Sequence, residues 1–271
     1  MSRSSAIRGG VIAVAVLCAF QTFSGLEAAQ KSDATPRLPD GHIDLNGTWG
    51  AVPGATSIAQ DLGDGGVCIY GCAPASAAEP ESERRAPDRP VYKVEYRAKV
   101  ADLEARQVDE DPTLTCQPPG VPRIGPPDKI IQSKDVVAFL YDDSNGAFWR
   151  IVPTDGTPHR DLEPSYLGDS IGWWEGDTLV VETINLNTET WLTDDGAFHT
   201  ENLRVIERLS REGDTLHFRA IAHDPDVLAA PWELRPRELP LSDWELEEPV
   251  PCVERSLGLM EDRTLHHDNA R

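Results

Sequence analysis

The chain has 271 residues, with 46 Asp or Glu against 25 Lys or Arg, for a formal charge of −21. Such a surface repels phosphate backbones and anionic bilayers, which excludes nucleic acid as a natural partner. The length and a hydrophobic share of 39% allow one domain with a real core plus an extension.

Residues 1–29 read as a secretory signal peptide. Arg3 and Arg8 give a basic start, residues 11–20 form a short apolar run, and Leu26-Glu27-Ala28-Ala29 offers small residues for cleavage. The run is about half of what spans a bilayer. Export to the periplasm or the outside is therefore expected, with no membrane insertion after the leader is removed. Cys18 lies within the run, and the bulky Leu17 before it argues against lipidation.

Residues 30–110 read as an N-terminal extension. Leu45-Asn46-Gly47-Thr48-Trp49-Gly50 looks like a first strand, and Gly-x-Trp is also how lipocalin-like barrels begin. Residues 52–90, rich in Gly, Ala and Pro, read as loop. Tyr92, Tyr96, Val100 and Leu103 share one helical stripe, which predicts an amphipathic helix over 91–107.

Residues 111–255 read as an antiparallel β-barrel, and 256–271 as a charged tail. A proline-set strap, Cys116 to Arg123, opens the region. Strands are predicted at 129–132, 136–141, 148–152, 171–175, 178–184, 203–209, 215–222 and 232–239, from Val, Ile, Phe and Trp enrichment and alternation. Glu-Gly-Asp-Thr-Leu occurs twice, at 175–179 and 212–216. Gly-Asp at a two-residue connection supplies the positive φ of a tight hairpin. The expected fold is mainly β: an antiparallel lipocalin-like barrel with an N-terminal helical extension.

Four cysteines remain beyond the leader, and an even count in an exported chain argues for two disulfides. Cys68 and Cys72 could close a local ring; Cys116–Cys252 would then tie the start of the barrel region to its end. Cys-x2-Cys spacing and nearby His ligands are lacking, so zinc is disfavoured.

The string Gly168-x-Ser170-Ile171-Gly172-x-Trp174-Glu175-Gly176-Asp177-Thr178-Leu179-Val180-Val181, with Asp155-Gly156-x-Pro158-His159 before it and Trp191, His199, Glu207-Arg208 and Pro231-Trp232 after it, resembles a family of exported bacterial proteins. The likeness covers roughly residues 110–255 and implies export and a β-rich fold; it brings no reaction with it. Asp169 and Trp173 stand where that family usually has His and Arg.

Gly168-Asp169-Ser170-Ile171-Gly172 matches a nucleophile elbow by letter, yet a turn precedes it and a strand follows, where an elbow needs strand then helix. The stronger constellation lies in two long connections: Asp155, His159, Asp161, Tyr166 and Asp169 before one hairpin, and Trp191, Asp194, His199 and Glu201 after it. If both cap one barrel mouth, His199 is the expected base or acid, His159 and Tyr166 its partners, and Asp169 or Glu201 the orienting carboxylate. Trp173, Trp174 and Trp191 would form an apolar wall. Asx turns and backbone capping are the ordinary use of such loop residues. No metal motif or dinucleotide fingerprint occurs, so neither metal nor cofactor is expected. The leading expectation is a cofactor-free acid–base enzyme, of isomerase, lyase or cyclase type, acting on a small, largely apolar molecule. A carrier for an apolar ligand and an envelope interaction protein are the alternatives.

Overall fold

The computed structural model describes residues 35–50, 60–61, 67–68, 89–193, 195–248 and Cys252. The predicted leader, Cys72 and with it the Cys68–Cys72 ring, Asp194, and the tail from residue 256 lie outside the described residues.

The fold is mainly β. Its strands are β1 (Gly47–Trp49), β2 (Gln60–Asp61), β3 (Val67–Cys68), β4 (Lys129–Gln132), β5 (Val136–Asp143), β6 (Gly146–Pro153), β7 (Asp169–Glu175), β8 (Thr178–Ile184), β9 (Arg204–Glu212), β10 (Thr215–His223), β11 (Trp232–Glu233) and β12 (Arg237–Ser242). Nine of them form an antiparallel, lipocalin-like barrel in the order β6-β5-β4-β1-β12-β10-β9-β8-β7, with β11 added to β10 and β2–β3 a separate ribbon. The predicted 232–239 strand is split, because Pro236 lies between β11 and β12 and cannot donate to a ladder.

Nine alternating strands bring the first and last round in the same direction. So β6 and β7 lie side by side without a shared ladder, and the barrel is nearly closed. Gly172 allows this approach: a Cβ there would stand 2.9 Å from Val152 Cγ1 and 3.1 Å from Thr154 Cγ2. Side chains then stitch the seam, with the Arg150 guanidinium of β6 donating to Ser170 Oγ of β7 at 3.0 Å.

Strand direction sorts the connections into two ends. At one end lie the 133–135 turn and both Gly-Asp turns: Gly176 and Gly213 adopt φ of 60° and 55°, and Glu175 pairs Thr178 as Glu212 pairs Thr215. Segment 35–46 closes this floor. Ile43 and Leu45 are buried there; Gln132 accepts from Leu45 N–H at 2.7 Å and donates to the Ile43 carbonyl at 3.1 Å. Trp49 Nε1 donates to the Leu45 carbonyl at 2.9 Å, so the Gly-x-Trp residue packs across the floor. The opposite end, the mouth, carries the 144–145 hairpin, the 185–203 and 224–231 connections, the proline strap and the helices.

Strands β9 and β10 alternate buried positions with partly or fully exposed ones. Trp49, Phe139, Tyr141, Leu209 and Phe218 fill the interior. Around them sits one buried ion pair. The Arg150 guanidinium donates to both carboxylate oxygens of Glu207, to Tyr141 Oη at 3.0 Å and to Thr183 Oγ1 at 2.7 Å. Arg150 and Glu207 side chains are 2% and 0% exposed. Burial pulls the Arg150 pKa down, but Glu207 and Tyr141 outweigh it and hold it above the ordinary value.

The predicted 91–107 helix is observed as a 3₁₀ turn at Val94–Tyr96, then α1 (Arg97–Ala105) and α2 (Gln107–Glu110). Tyr96, Val100 and Leu103 pack on the core. Tyr92 does not belong to the helix: it bridges Leu228 in extended conformation, and its hydroxyl donates to the Phe198 carbonyl at 2.5 Å. Cys116 and Cys252 form a disulfide with Cα atoms 5.7 Å apart, 136 residues apart in sequence. Closing so long a loop contributes on the order of 4 kcal/mol in the chain-entropy account. Among the described residues no helix is long and apolar enough to cross a membrane.

Candidate functional site

Among the described residues, open clefts lie at the mouth end. One, of about 880 Å³, runs between the helical segment and the 185–203 connection. Lys99 and Leu103 of α1 and Glu110 of α2 line one side; Tyr166, Glu189, Trp191, Phe198, His199 and Glu201 line the other. Four residues singled out from sequence therefore meet here: Tyr166, Trp191, His199 and Glu201.

Backbone pairing brings the two loops together. Ser165 bridges Leu186, and Asn187 N–H donates to the Ser165 carbonyl at 2.9 Å, which sets Tyr166 beside Glu189. The Tyr166 hydroxyl donates to Glu189 Oε2 at 2.6 Å, and that bond raises the phenol pKa. Glu189 was not foreseen, since nothing local in sequence reports a pairing across 23 residues. Phe198 forms an aromatic floor, stacked on Tyr92 with centroids 5.3 Å apart, with Lys99 Nζ 3.7 Å above its ring.

His199 is 3% exposed and satisfied at both nitrogens. Nδ1 faces the Thr200 carbonyl at 2.8 Å, so Nδ1 carries the proton and donates. Nε2 then accepts from Thr190 Oγ1 at 2.7 Å. Burial lowers its pKa below the usual 6.5, opposed by the Thr200 bond and by Asp224. This ring borders the cleft but holds no free lone pair toward it; its present role is to position the loop. The sign of its effect on stability follows. The unfolded chain binds this proton more readily, so stability is lost as pH falls below 6.5 toward the lowered folded value. We expect His199→Asn, which retains a donor for the Thr200 carbonyl, to flatten the urea midpoint against pH in that window. A residual slope remains from His223, also lowered, and from Asp128, raised to about 6, which acts with the opposite sign.

His159 and Asp169 are joined to each other but not to this cleft. His159 Nδ1 stands 2.9 Å from Asp169 Oδ2 and Nε2 3.2 Å from Glu182 Oε1. Burial works to raise the Asp169 pKa, but the Arg160 N–H at 3.0 Å, His159 and the Arg160 guanidinium at 2.8 Å hold it below the ordinary range. Glu182 also pairs with Arg204. The group is a clamp that fixes the 154–168 crossover on β7 and β8. A smaller cleft of about 470 Å³ beside it is lined by Arg160, Arg204 and Glu201.

The predicted tryptophan wall does not assemble: of the three, only Trp191 reaches the main cleft. Trp173 is 36% exposed and donates to Glu175 at 3.1 Å, and Trp174 stacks on His42 at 4.4 Å. Both lie on the floor-side half of β7, the wrong end for the mouth. Asp155 accepts from Thr157 N–H at 3.0 Å in an Asx turn. Ser170 is buried against Arg150 and Thr183, so it is no exposed nucleophile. Among the described residues no group of three or more His, Cys, Asp or Glu side chains is arranged to hold a metal ion. No family model, curated protein or solved structure matches this chain.

Proposed function

We propose that this exported barrel takes a small organic molecule into the cleft beside α1 and performs cofactor-free acid–base chemistry on it. The observation that carries the reading is the hydrogen-bonded Tyr166–Glu189 pair, held in one cleft with Glu201 and the Trp191–Phe198 floor. Tyr166 would turn its O–H to a developing oxyanion, and the Glu189 carboxylate, freed of that bond, would take the proton from the neighbouring carbon. Returning the proton to another carbon completes an isomerisation; losing a leaving group completes an elimination.

The test is metabolite profiling with the purified protein. Wild type should convert one small molecule. Tyr166→Phe should slow that conversion by about 10²–10³-fold, the usual cost of one oxyanion donor. Equal turnover by wild type and Tyr166→Phe would remove the chemical reading. A carrier is the second reading, favoured by the full satisfaction of both His199 nitrogens; its signature is a compound retained unchanged, equally by both proteins.

A further inference from the structure

The second cleft, about 520 Å³, opens at the barrel mouth itself. Trp49, Ile124, Leu192, Leu234 and Leu239 give it an apolar wall. One half-buried carboxylate, Asp128 just before β4, stands in that wall; its Oδ2 accepts the Asp142 N–H at 2.7 Å, and its own backbone N–H also faces the carboxylate. No side-chain cation pairs with it among the described residues. Arg123, across the cleft on the strap, is spent in a bidentate bond to Asp111 at 2.8 and 2.7 Å. Lys129, the next residue, is paired with Glu245. Asp142 and Asp143 of β5 add negative charge at the rim, and Arg237 of β12 lies exposed there.

We propose that the barrel mouth is a second ligand site, for a small molecule with an apolar body and a protonated amine, with Asp128 as the counter-ion. An apolar wall beside a carboxylate that meets no side-chain cation among the described residues matches that chemistry at both ends. With the Arg123 guanidinium held by Asp111, the Asp128 and Asp142 carboxylates against the Arg237 guanidinium favour a cation over an anion. The site does not depend on the chemistry proposed for the Tyr166 cleft. Burial first, then Asp142 and Asp143, raises the Asp128 pKa to about 6 against the opposing N–H groups of Asp142 and of Asp128 itself. The amine needs the carboxylate, so its affinity rises with pH through this value.

Calorimetric or NMR titration of the full chain with phenethylamine, 2-phenylethanol and 3-phenylpropionate tests this. Phenethylamine should bind best, about tenfold more weakly at pH 5 than at pH 7.5, from the share of Asp128 still ionised. Asp128→Asn retains an acceptor for the Asp142 N–H; it should weaken the amine at least tenfold at pH 7.5 and remove the pH dependence. Asp142→Asn, of the same charge change on an exposed neighbour, should weaken it less than twofold, and Glu189→Gln in the other cleft should leave it unaltered. The proposal is overturned if the alcohol binds as well as the amine, if the carboxylate binds best, if Asp142→Asn or Glu189→Gln costs as much as Asp128→Asn, or if none of the three probes binds.

Discussion

Replacing Arg150 by Met should cost about 3–5 kcal/mol of folding stability, the usual penalty for stranding one partner of a buried ion pair. The side chain gives up bonds to Glu207, Tyr141, Ser170 and Thr183 at once. It also leaves a carboxylate at zero exposure with no cation beside it. Against a typical domain stability of about 5–15 kcal/mol this is a large fraction. The double variant Arg150→Met, Glu207→Met should be clearly more stable than Arg150→Met, because the second change removes the stranded charge. Urea unfolding followed by tryptophan fluorescence measures all the variants. If the double variant is the least stable and the two penalties simply add, the pair is not the coupled unit described.

Much of the barrel could be read before any coordinate, for local reasons. Gly-Asp between alternating runs fixes a two-residue turn, and both copies form it. Alternation survives in β9 and β10 because each packs one face on a single core. The Arg150–Glu207 pair had a legible half. Glu207 stands in phase with Val205 and Leu209, and Arg150 with Val152, all of them buried, so each charge sits on the apolar face of its strand. That they meet could not be read, since they lie on strands that are not neighbours in the sheet. The helix start was misplaced because Tyr92 matches the stripe by spacing alone, while its partner Leu228 lies far along the chain. His199 and Glu201 stand two apart and would share a face in a strand, yet residues 200–203 form a turn, with the Leu203 N–H donating to the Thr200 carbonyl at 3.2 Å, pinned by Asp224, which accepts Thr200 N–H at 2.6 Å. The period-2 rule has no hold there, and Glu201 ends exposed while His199 ends buried. Tyr166 was found and Glu189 missed for the complementary reason: a residue type can be suspected from its chemistry, but a partner across two loops is set by tertiary pairing.

Gly196→Ala should undock the helical segment and empty the main cleft of function while leaving the barrel folded. Gly196 has φ of 81°, and a Cβ there would lie 2.6 Å from Glu104 N, 2.8 Å from Val100 O and 3.0 Å from Leu103 Cβ. Two of those atoms are α1 backbone, which cannot rotate away, so the whole helix has to move. The left-handed backbone costs about 1–2 kcal/mol and the overpacking about 1–3 kcal/mol more. Gly156→Ala separates the two costs: its φ is 86°, but nothing lies within 4 Å of its Cβ. The difference between the two variants is then the contact with α1. Hydrogen exchange should show lost protection of the 97–105 amides in Gly196→Ala alone, with the amides of β9 and β10 still protected. Turnover or retention of the small molecule should fall with that protection, because Lys99, Leu103 and Glu110 form one wall of the cleft. Protected helix amides with function unchanged would mean that the helix does not dock through Gly196. Helix amides released with function intact would place the working site elsewhere than the Tyr166–Glu189 cleft.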